Sequence, residues 1–145
     1  MKECYIDVET TGLDPKRHGI IQIAGIIATP NHPNHEFSFK IRPFPGDLMS
    51  PEALTLHKVT RDILASYEDP VKIYGALTNL FGVYCDKFNK IDKMFFIGYN
   101  SQFDSDFLRT FWEKNNDKYY GSWFFHPPIC VMHLAAFRLR SLRRT

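Results

Sequence analysis

Two acidic residues, Asp7 and Glu9, lie two positions apart in a segment whose alternating sequence is typical of a β-strand. Because residues i and i+2 of a strand share a face, we expect both carboxylates to project together, with Ile6 and Val8 on the other face. The turn at residues 10–12 leaves this end of the strand open to a ligand. A bare acidic pair is more often the solvent face of an edge strand, so a third residue has to decide.

That third residue is Asp104, which lies within an apolar stripe at helical spacing. The stripe consists of Phe103, Phe107, Leu108, Phe111 and Trp112. An ionised carboxylate on a core-facing stripe is costly unless it is paired or binds a metal ion. Capping of the helix N-terminus is the alternative role for an acid here. Asn100 or Ser101 could cap instead, and we therefore favour a metal-binding role for Asp104.

Three converging carboxylates would repel one another by roughly 1–4 kcal/mol per pair, depending on the effective dielectric. A divalent cation would remove this repulsion. Hard oxygen ligands without a His or Cys cluster favour Mg²⁺ or Mn²⁺, which proteins commonly hold together with substrate phosphate. The three acids therefore predict phosphoryl chemistry.

The elements that must position these acids can be read from periodicity and capping residues. Strands are predicted at residues 4–9, 20–28, 37–41, 94–99 and 129–132. The first three follow one another directly, which favours an antiparallel meander, and the run at 94–99 is typical of a strand covered on both faces.

Helices are expected between and after these strands. Ser50 and Thr60 are placed as N-caps of two helices, with Pro51 at the first position of the earlier one. A long helix is predicted from Val71, and its apolar stripe comprises Tyr74, Leu77, Leu80, Phe81, Tyr84 and Phe88. Two further helices are predicted over 101–113 and from 133 onward. The fold class is therefore α/β, a mixed five-stranded sheet with flanking helices.

Composition limits the class of protein further. The 145 residues fit one domain, and the 15% aromatic content supplies a large core. Five cations and no acid follow Asp117, so the tail is basic although the whole chain carries only +2. This tail contains Arg138, Arg140, Arg143 and Arg144. It is suited either to binding phosphates or to forming an ordinary solvent-exposed helix face.

The cysteines and hydropathy favour an intracellular setting. Cys4, Cys85 and Cys130 are widely spaced and form no CxxC pair, so neither a zinc knuckle nor a disulfide framework is indicated. No segment approaches the ~20 apolar residues of a membrane span, and no secretory leader precedes the first strand. We expect a cytoplasmic protein without a membrane partner.

Two segments resemble a known family. YIDVETTGL at 5–13 is similar to the first motif of the DEDD (DnaQ-like) 3′-to-5′ exonucleases, the group that includes polymerase proofreading subunits, ribonuclease T and oligoribonuclease. GYNSQFDSDFL at 98–108 is similar to the second motif. LHKVT at 56–60 and ICVMHLAAF at 129–137 also resemble family segments, so the resemblance covers nearly the whole chain.

The resemblance implies a ribonuclease H-like fold in which Asp7, Glu9 and Asp104 are catalytic metal ligands for two Mg²⁺ or Mn²⁺ ions. It also implies hydrolysis of nucleotides from the 3′ end of DNA or RNA, with a single-stranded end as the partner. The residues expected to bind substrate are Thr10, Thr11, Gly12, Leu13, His57, Asn100 and Phe103. For His57 a purely structural role is the alternative.

The family's third motif, which supplies a fourth acid and a base, has no match. No Asp or Glu follows Asp117, and neither His126 nor His133 has an acid four or five residues on. We therefore expect the domain at residues 1–145 to be truncated before that motif, with the C-terminal helix of the fold missing. Impaired activity and self-association through the exposed sheet surface are the expected consequences.

Two other functions compete with the exonuclease hypothesis. A non-catalytic nucleic-acid-binding or assembly module would keep this fold without turnover, and the missing third motif favours it. Internal cleavage of RNA on a related fold would also use Asp7 and Glu9, but the similarity of NSQFD to the second motif argues against it.

Overall fold

The computed structural model describes residues 1–143, with side chains through residue 140. A five-stranded mixed sheet in the order β3-β2-β1-β4-β5 forms its centre. The strands are β1 (Glu3–Thr10), β2 (Ile20–Ala28), β3 (His35–Lys40), β4 (Phe95–Gly98) and β5 (Ile129–Cys130). β1, β2 and β3 pair antiparallel, whereas β4 pairs parallel with both β1 and β5. The predicted mixed sheet with its N-terminal meander is confirmed.

Within residues 1–143, five α-helices flank or connect the strands. They are α1 (Pro51–Leu56), α2 (Arg61–Ala65), α3 (Pro70–Tyr84), α4 (Ser101–Lys114) and α5 (Val131–Arg143). The side chains of Ser50 and Thr60 accept hydrogen bonds from the amides of Ala53 and Ile63, so both predicted N-caps are confirmed. No helix in residues 1–143 combines the length and apolar character needed to cross a membrane.

Three predicted boundaries were wrong. α3 ends at Tyr84, and Phe88 lies outside it with 86% of its surface exposed. The chain turns there because the Asp86 amide donates to the Asp92 carboxylate at 2.9 Å. β5 comprises only residues 129–130, since pairing with β4 is limited to two positions and α5 begins at Val131. β4 ends at Gly98, which leaves Tyr99 exposed.

The two faces of the sheet differ in how they are covered. We call the face that carries Cys4, Ile6, Val8, Ile23 and Ile27 the core face, because these side chains pack into one buried cluster with α3 and α4. Phe81 of α3 stacks on Trp112 of α4 within this cluster, with ring centroids 5.9 Å apart and an interplanar angle of 9°. We call the other face, with Tyr5, Asp7, Ala24 and Ile26, the open face.

α5 projects its side chains largely into solvent. Leu134, Phe137 and Leu139 are 61%, 77% and 56% exposed. Arg138 and Arg140 are also exposed, as a solvated basic face predicts. The side chains of Arg143 and Arg144, the other two basic residues of that prediction, lie outside the described residues.

Candidate active site

The strand β1 places two acids on the open face. Ile6 and Val8 are buried, whereas Asp7 is exposed and Glu9 half-buried, which follows the alternation expected of a strand covered on one side. Ala24 lies directly opposite Asp7 on β2, and Gln22 lies opposite Glu9. Their carboxylates therefore share one face near the end of β1.

Helix α4 brings Asp104 against this strand. Asp104 is only 3% exposed, and its Oδ1 accepts a hydrogen bond from the Val8 N–H at 3.0 Å. Val8 lies between Asp7 and Glu9 in the sequence, so this bond holds Asp104 against the strand segment that carries the other two acids. Asp104 is far from solvent on the apolar stripe, as its helical position predicted.

The environment of Asp104 makes its carboxyl group harder to ionise than an exposed aspartate in the absence of a cation. Burial raises the pKa of Asp104 from 3.8 to about 6, and the charge of Asp7 raises it further in the same direction. The Val8 amide and the amide of Asp104 itself oppose this shift in pKa. The influence of Asp7 on this pKa shows that the two carboxyl groups interact.

The capping alternative for Asp104 is not the main use of its carboxyl group. The hydrogen bond to Val8 directs Oδ1 toward β1, although Asp104 also lies in the first turn of α4. Asn100, the N-cap residue, has left-handed backbone angles (φ 61°, ψ 50°) and makes no side-chain capping bond. The hydroxyl of Ser101, the other candidate, has no hydrogen-bond partner among the described residues.

The carboxyl groups of Asp7, Glu9 and Asp104 are the candidate donors for a divalent cation. Within the described residues, no three His, Cys, Asp or Glu side chains are grouped tightly enough to cage an ion. The chemistry of the donors nevertheless suits Mg²⁺ or Mn²⁺, because two carboxylates flank a buried third one that has no cationic side chain bonded to it among the described contacts. Asp7 and Glu9 would have to approach Asp104 more closely for the three to hold one ion.

Glu9 also lies close to a histidine, a contact that was not predicted from the sequence. His57, at the end of α1, places Nδ1 at 3.6 Å from Oε2 of Glu9. The α1 segment is held beside β1 because the Ser50 amide donates to the Thr11 carbonyl at 2.7 Å. His57 therefore borders the acidic residues, at the place where a substrate-contacting residue was expected.

The turn after β1 is rigid and mostly buried. The Thr10 hydroxyl donates to the Gly12 carbonyl at 2.6 Å, and the Thr11 hydroxyl donates to the Leu48 carbonyl at 2.7 Å. A side chain at Gly12 would clash with the His18 ring, whose Cδ2 would lie 2.3 Å from a Cβ. Leu13 is 83% exposed, so this turn presents its side chain to solvent.

Two further predicted residues lie where β4 meets α4. Asn100 is exposed, while Phe103 is half-buried and packs on Phe107 with ring centroids 4.9 Å apart. Tyr99, which the sequence analysis did not select, is 68% exposed. Its position inside the second motif was the available signal.

The open face also forms a shallow trough of about 790 Å³ that begins at Asp7. Tyr5, Ile26, Ile97, Tyr99 and Val131 supply much of its apolar lining, and Asp7 and Glu36 are its acidic side chains. Tyr5 shares the strand face of Asp7, and this alternation was the available signal for the surface.

The family model and the similar proteins indicate the same family. The chain matches the RNase_T family model, described as an exonuclease, over residues 4–135. Ribonuclease T of Haemophilus influenzae strain Rd is 29% identical over 120 residues, which cover 78% of this chain and 52% of that protein. Ribonuclease T of Baumannia cicadellinicola is 30% identical over 110 residues, covering 71% and 50%. This chain spans about half the length of the relatives it matches.

Solved structures share its architecture. E. coli exonuclease I in complex with a dT13 oligonucleotide has a TM-score of 0.70 at 21% identity, covering 95% of this chain and 29% of that one. Exonuclease I without ligand has a TM-score of 0.69 at 22% identity, covering 94% and 30%. At such identity the likeness concerns the fold, and it confirms the expected ribonuclease H-like architecture.

Proposed function

This chain belongs to the RNase_T exonuclease family, and from that premise we propose that it is built for metal-dependent removal of nucleotides from the 3′ end of a nucleic acid. The observation that carries the proposal is the buried Asp104 carboxyl, which is bonded to the backbone of β1 between Asp7 and Glu9. A buried acid beside a second acid is costly in a purely structural role.

The three acids have distinct positions in the proposed site. Asp104 is held by its hydrogen bond to the Val8 amide, whereas Asp7 is exposed and Glu9 half-buried on the open face. We propose that together they hold Mg²⁺ or Mn²⁺, in the two-ion arrangement implied by the family resemblance. Bound divalent cations supply Lewis acidity for phosphodiester hydrolysis.

Other residues of the chain would orient the nucleotide. Leu13 offers an exposed apolar side chain for the terminal base, on a turn that buried hydroxyls hold in place. His57 restrains Glu9 from the side of α1 and stands at the border of the site. Asn100 and Phe103 flank the opposite side, at the beginning of α4.

A single-stranded 3′ end of DNA or RNA is the substrate class that we propose. The relatives are ribonucleases T, and the structural neighbours include exonuclease I bound to a dT13 oligonucleotide. These similarities support a nucleic-acid strand as the ligand of this chain. The open approach to Asp7 and Glu9 also suits an extended strand.

The test follows degradation of an oligonucleotide labelled at its 5′ end, in Mg²⁺ or Mn²⁺. Shortening by single nucleotides from the 3′ end is the expected product pattern. Asp104→Asn should reduce the rate at least ~100-fold, since a site ligand is lost. Asp106→Asn is the matched control, because Asp106 is exposed on the same helix and bonds only to Gln102 among its described contacts. Equal rates for both variants would contradict the assignment.

A second candidate function applies to the 145-residue polypeptide. No Asp or Glu follows Asp117, so these residues supply neither a fourth acid nor a base paired with one. A positioned base is typically worth 10²–10⁴ in rate. We therefore propose that this polypeptide turns over slowly and binds nucleic acid more readily than it cleaves it. Retained oligonucleotide binding with slow cleavage would support this, and turnover at or above ~1 s⁻¹, within the ordinary enzyme range, would refute it.

We also propose that the polypeptide self-associates through the open face. Tyr5 and Tyr99 are 41% and 68% exposed there, beside the apolar side chains of Ile26 and Ile97. Exposed apolar surface of this kind tends to find partners. Sedimentation equilibrium between about 1 and 100 µM tests the proposal, and a monomer throughout would refute it.

A further inference from the structure

One imidazole ring contacts the chain on both sides of Leu13. We call residues 12–14 the Leu13 segment, since they surround the exposed leucine of the turn after β1. The His18 ring lies against Gly12, where an added Cβ would be 2.3 Å from Cδ2 and 2.4 Å from Nε2. Nδ1 of the same ring accepts a hydrogen bond from the Asp14 N–H at 3.1 Å. His18 therefore holds the Leu13 segment at both of its ends.

The hydrogen bond to Asp14 restrains the backbone of Leu13 itself. The N–H that donates to Nδ1 belongs to the peptide that joins Leu13 to Asp14, so the bond fixes the orientation of that peptide plane. Because the ψ angle of Leu13 sets this orientation, the position of its side chain relative to Asp14 is restrained as well. As an acceptor, Nδ1 carries no proton, and the neutral ring therefore has its proton on Nε2.

The backbone of His18 is in turn held by residues distant in sequence. Nζ of Lys114, at the end of α4, donates to the His18 carbonyl at 3.0 Å. The same Nζ lies 2.5 Å from Oδ1 of Asp47, whose side chain is 4% exposed. Thr11 and Gly19 join the two sides of the loop, because the amide of each donates to the other residue at 2.9 Å. The backbone of His18 is therefore fixed, and its ring supports the Leu13 segment.

Helix α4 links this support to the proposed metal site. Its first turn contains Asp104, which accepts the hydrogen bond from the Val8 amide. Its last turn contains Lys114, about 15 Å further along the helix axis. One helix therefore extends from the buried acid to the residue that holds His18. The Leu13 segment is consequently held at a defined place relative to the acids of β1.

We propose that His18 is a positioning residue for the terminal nucleotide, acting through the Leu13 segment. The inference rests on the proposed function, in which Leu13 contacts the terminal base. The hydrogen bonds described for His18 include none to the three acids. A change at position 18 should therefore weaken binding of an oligonucleotide and leave binding of Mn²⁺ unchanged.

Two substitutions separate the ring from its hydrogen-bond acceptor. His18→Phe keeps a ring against Gly12 but has no acceptor for the Asp14 N–H. His18→Asn loses the ring but keeps an acceptor, since its Oδ1 is the same number of bonds from Cα as Nδ1. Because the bond to Asp14 restrains Leu13, His18→Phe should raise the dissociation constant for an oligonucleotide about tenfold. His18→Asn should raise it less than about threefold.

A double-mutant cycle shows whether His18 acts through Leu13. Leu13→Ala removes the apolar contact with the base and should itself weaken binding. If His18 places this side chain, adding His18→Phe to Leu13→Ala should raise the dissociation constant by less than about twofold further. A residue that only stabilised the fold would weaken binding by the same factor in both backgrounds.

The probe is a single-stranded oligonucleotide labelled at its 5′ end, with a phosphorothioate at its last linkage to slow cleavage. Fluorescence anisotropy in Mn²⁺ gives its dissociation constant, calorimetry gives that of Mn²⁺, and thermal denaturation reports folding. His32→Phe is the matched control, because His32 is exposed between β2 and β3 and its Nδ1 bonds to the nearby Pro30 carbonyl. If His18→Phe does not fold, His18→Gln replaces it, because its acceptor lies one bond further from Cα.

The outcomes separate this inference from the proposed function. A tenfold loss by His18→Phe that disappears in the Leu13→Ala background, with unchanged Mn²⁺ affinity, supports the inference. Unchanged oligonucleotide affinity of His18→Phe, or an equal loss in both backgrounds, overturns it and leaves the proposed function intact. Weaker Mn²⁺ binding by His18→Phe also overturns it, since the effect then reaches the acids. A wild-type protein that binds no oligonucleotide overturns both.

Discussion

The core face and the open face of the sheet are formed by alternate residues of the same strands, yet one is packed against helices and the other lines a trough. On the core face, Ile6 and Val8 pack into a cluster with two helices and are less than 8% exposed. On the open face, the interleaved Tyr5 and Asp7 line a trough. One strand therefore supplies both the stability of the fold and its reactive groups.

Asp104 connects the core face with the open face. It belongs to a helix of the core, but its carboxyl group bonds to β1 beside the acids of the open face. The core face thus buries one acid, while Asp7 and Glu9 lie on the open face. Substitutions on the two faces should therefore separate stability from activity.

A matched pair on β2 gives the largest expected effect on stability. Ile23→Ala removes a fully buried side chain of the core face and should cost about 2–5 kcal/mol of unfolding free energy. Ile26→Ala, three residues on and lining the trough, should cost less than about 1.5 kcal/mol. Urea denaturation measures both, and equal losses would contradict the difference between the faces.

A smaller effect is expected from the pH dependence of Asp104. Its pKa of about 6 lies above the ordinary 3.8, so the folded state binds this proton more tightly than the unfolded state. Stability from this group is fully present below about pH 4 and is lost as pH rises through about 6. Without divalent cations, Asp104→Asn should therefore be more stable than wild type by about 1–2 kcal/mol at pH 7.5.

The same variant should have no such advantage at pH 4, where the wild-type carboxyl is protonated in the folded state. Thermal denaturation at both pH values, with Asp106→Asn as the exposed control, measures the difference. An advantage of Asp104→Asn that is equal at pH 4 and pH 7.5 would show that ionisation of Asp104 is not its cause.

The three thiols should show the smallest effect, a difference in alkylation rate. Burial raises the pKa of Cys4 and raises that of Cys85 to about 11. Desolvation also acts to raise the pKa of Cys130, but the amides of His133, Ser101, Asn100 and Met132 outweigh it and lower the pKa below 9.0. Iodoacetamide at pH 7.5 should label Cys130 first, as peptide mass spectrometry would detect. Faster labelling of Cys4 would contradict the packing of the core face.

Much of this arrangement could be predicted from local sequence. Strand alternation placed Asp7 and Glu9 on one face, helical spacing buried Asp104, and Ser50 and Thr60 capped the helices they precede. Each of these features depends on residues close in the chain. The predictions therefore needed no knowledge of tertiary contacts.

The features that escaped prediction depend on distant pairing. The end of α3 before Phe88 follows from the bond between Asp86 and Asp92, and the short β5 follows from its limited register with β4. The approach of His57 to Glu9 spans 48 positions of the chain and is set by the contact of Ser50 with Thr11. Periodicity carries no information about such contacts.

The central claim is that Asp7, Glu9 and Asp104 act together on a divalent cation, and calorimetric titration with Mn²⁺ tests it most directly. Wild type and Asp106→Asn should bind Mn²⁺ with the same affinity, whereas Asp7→Ala and Asp104→Asn should each weaken binding at least about tenfold, or ~1.4 kcal/mol. Identical Mn²⁺ binding by all four proteins, or no binding by wild type up to ~10 mM, would contradict the account.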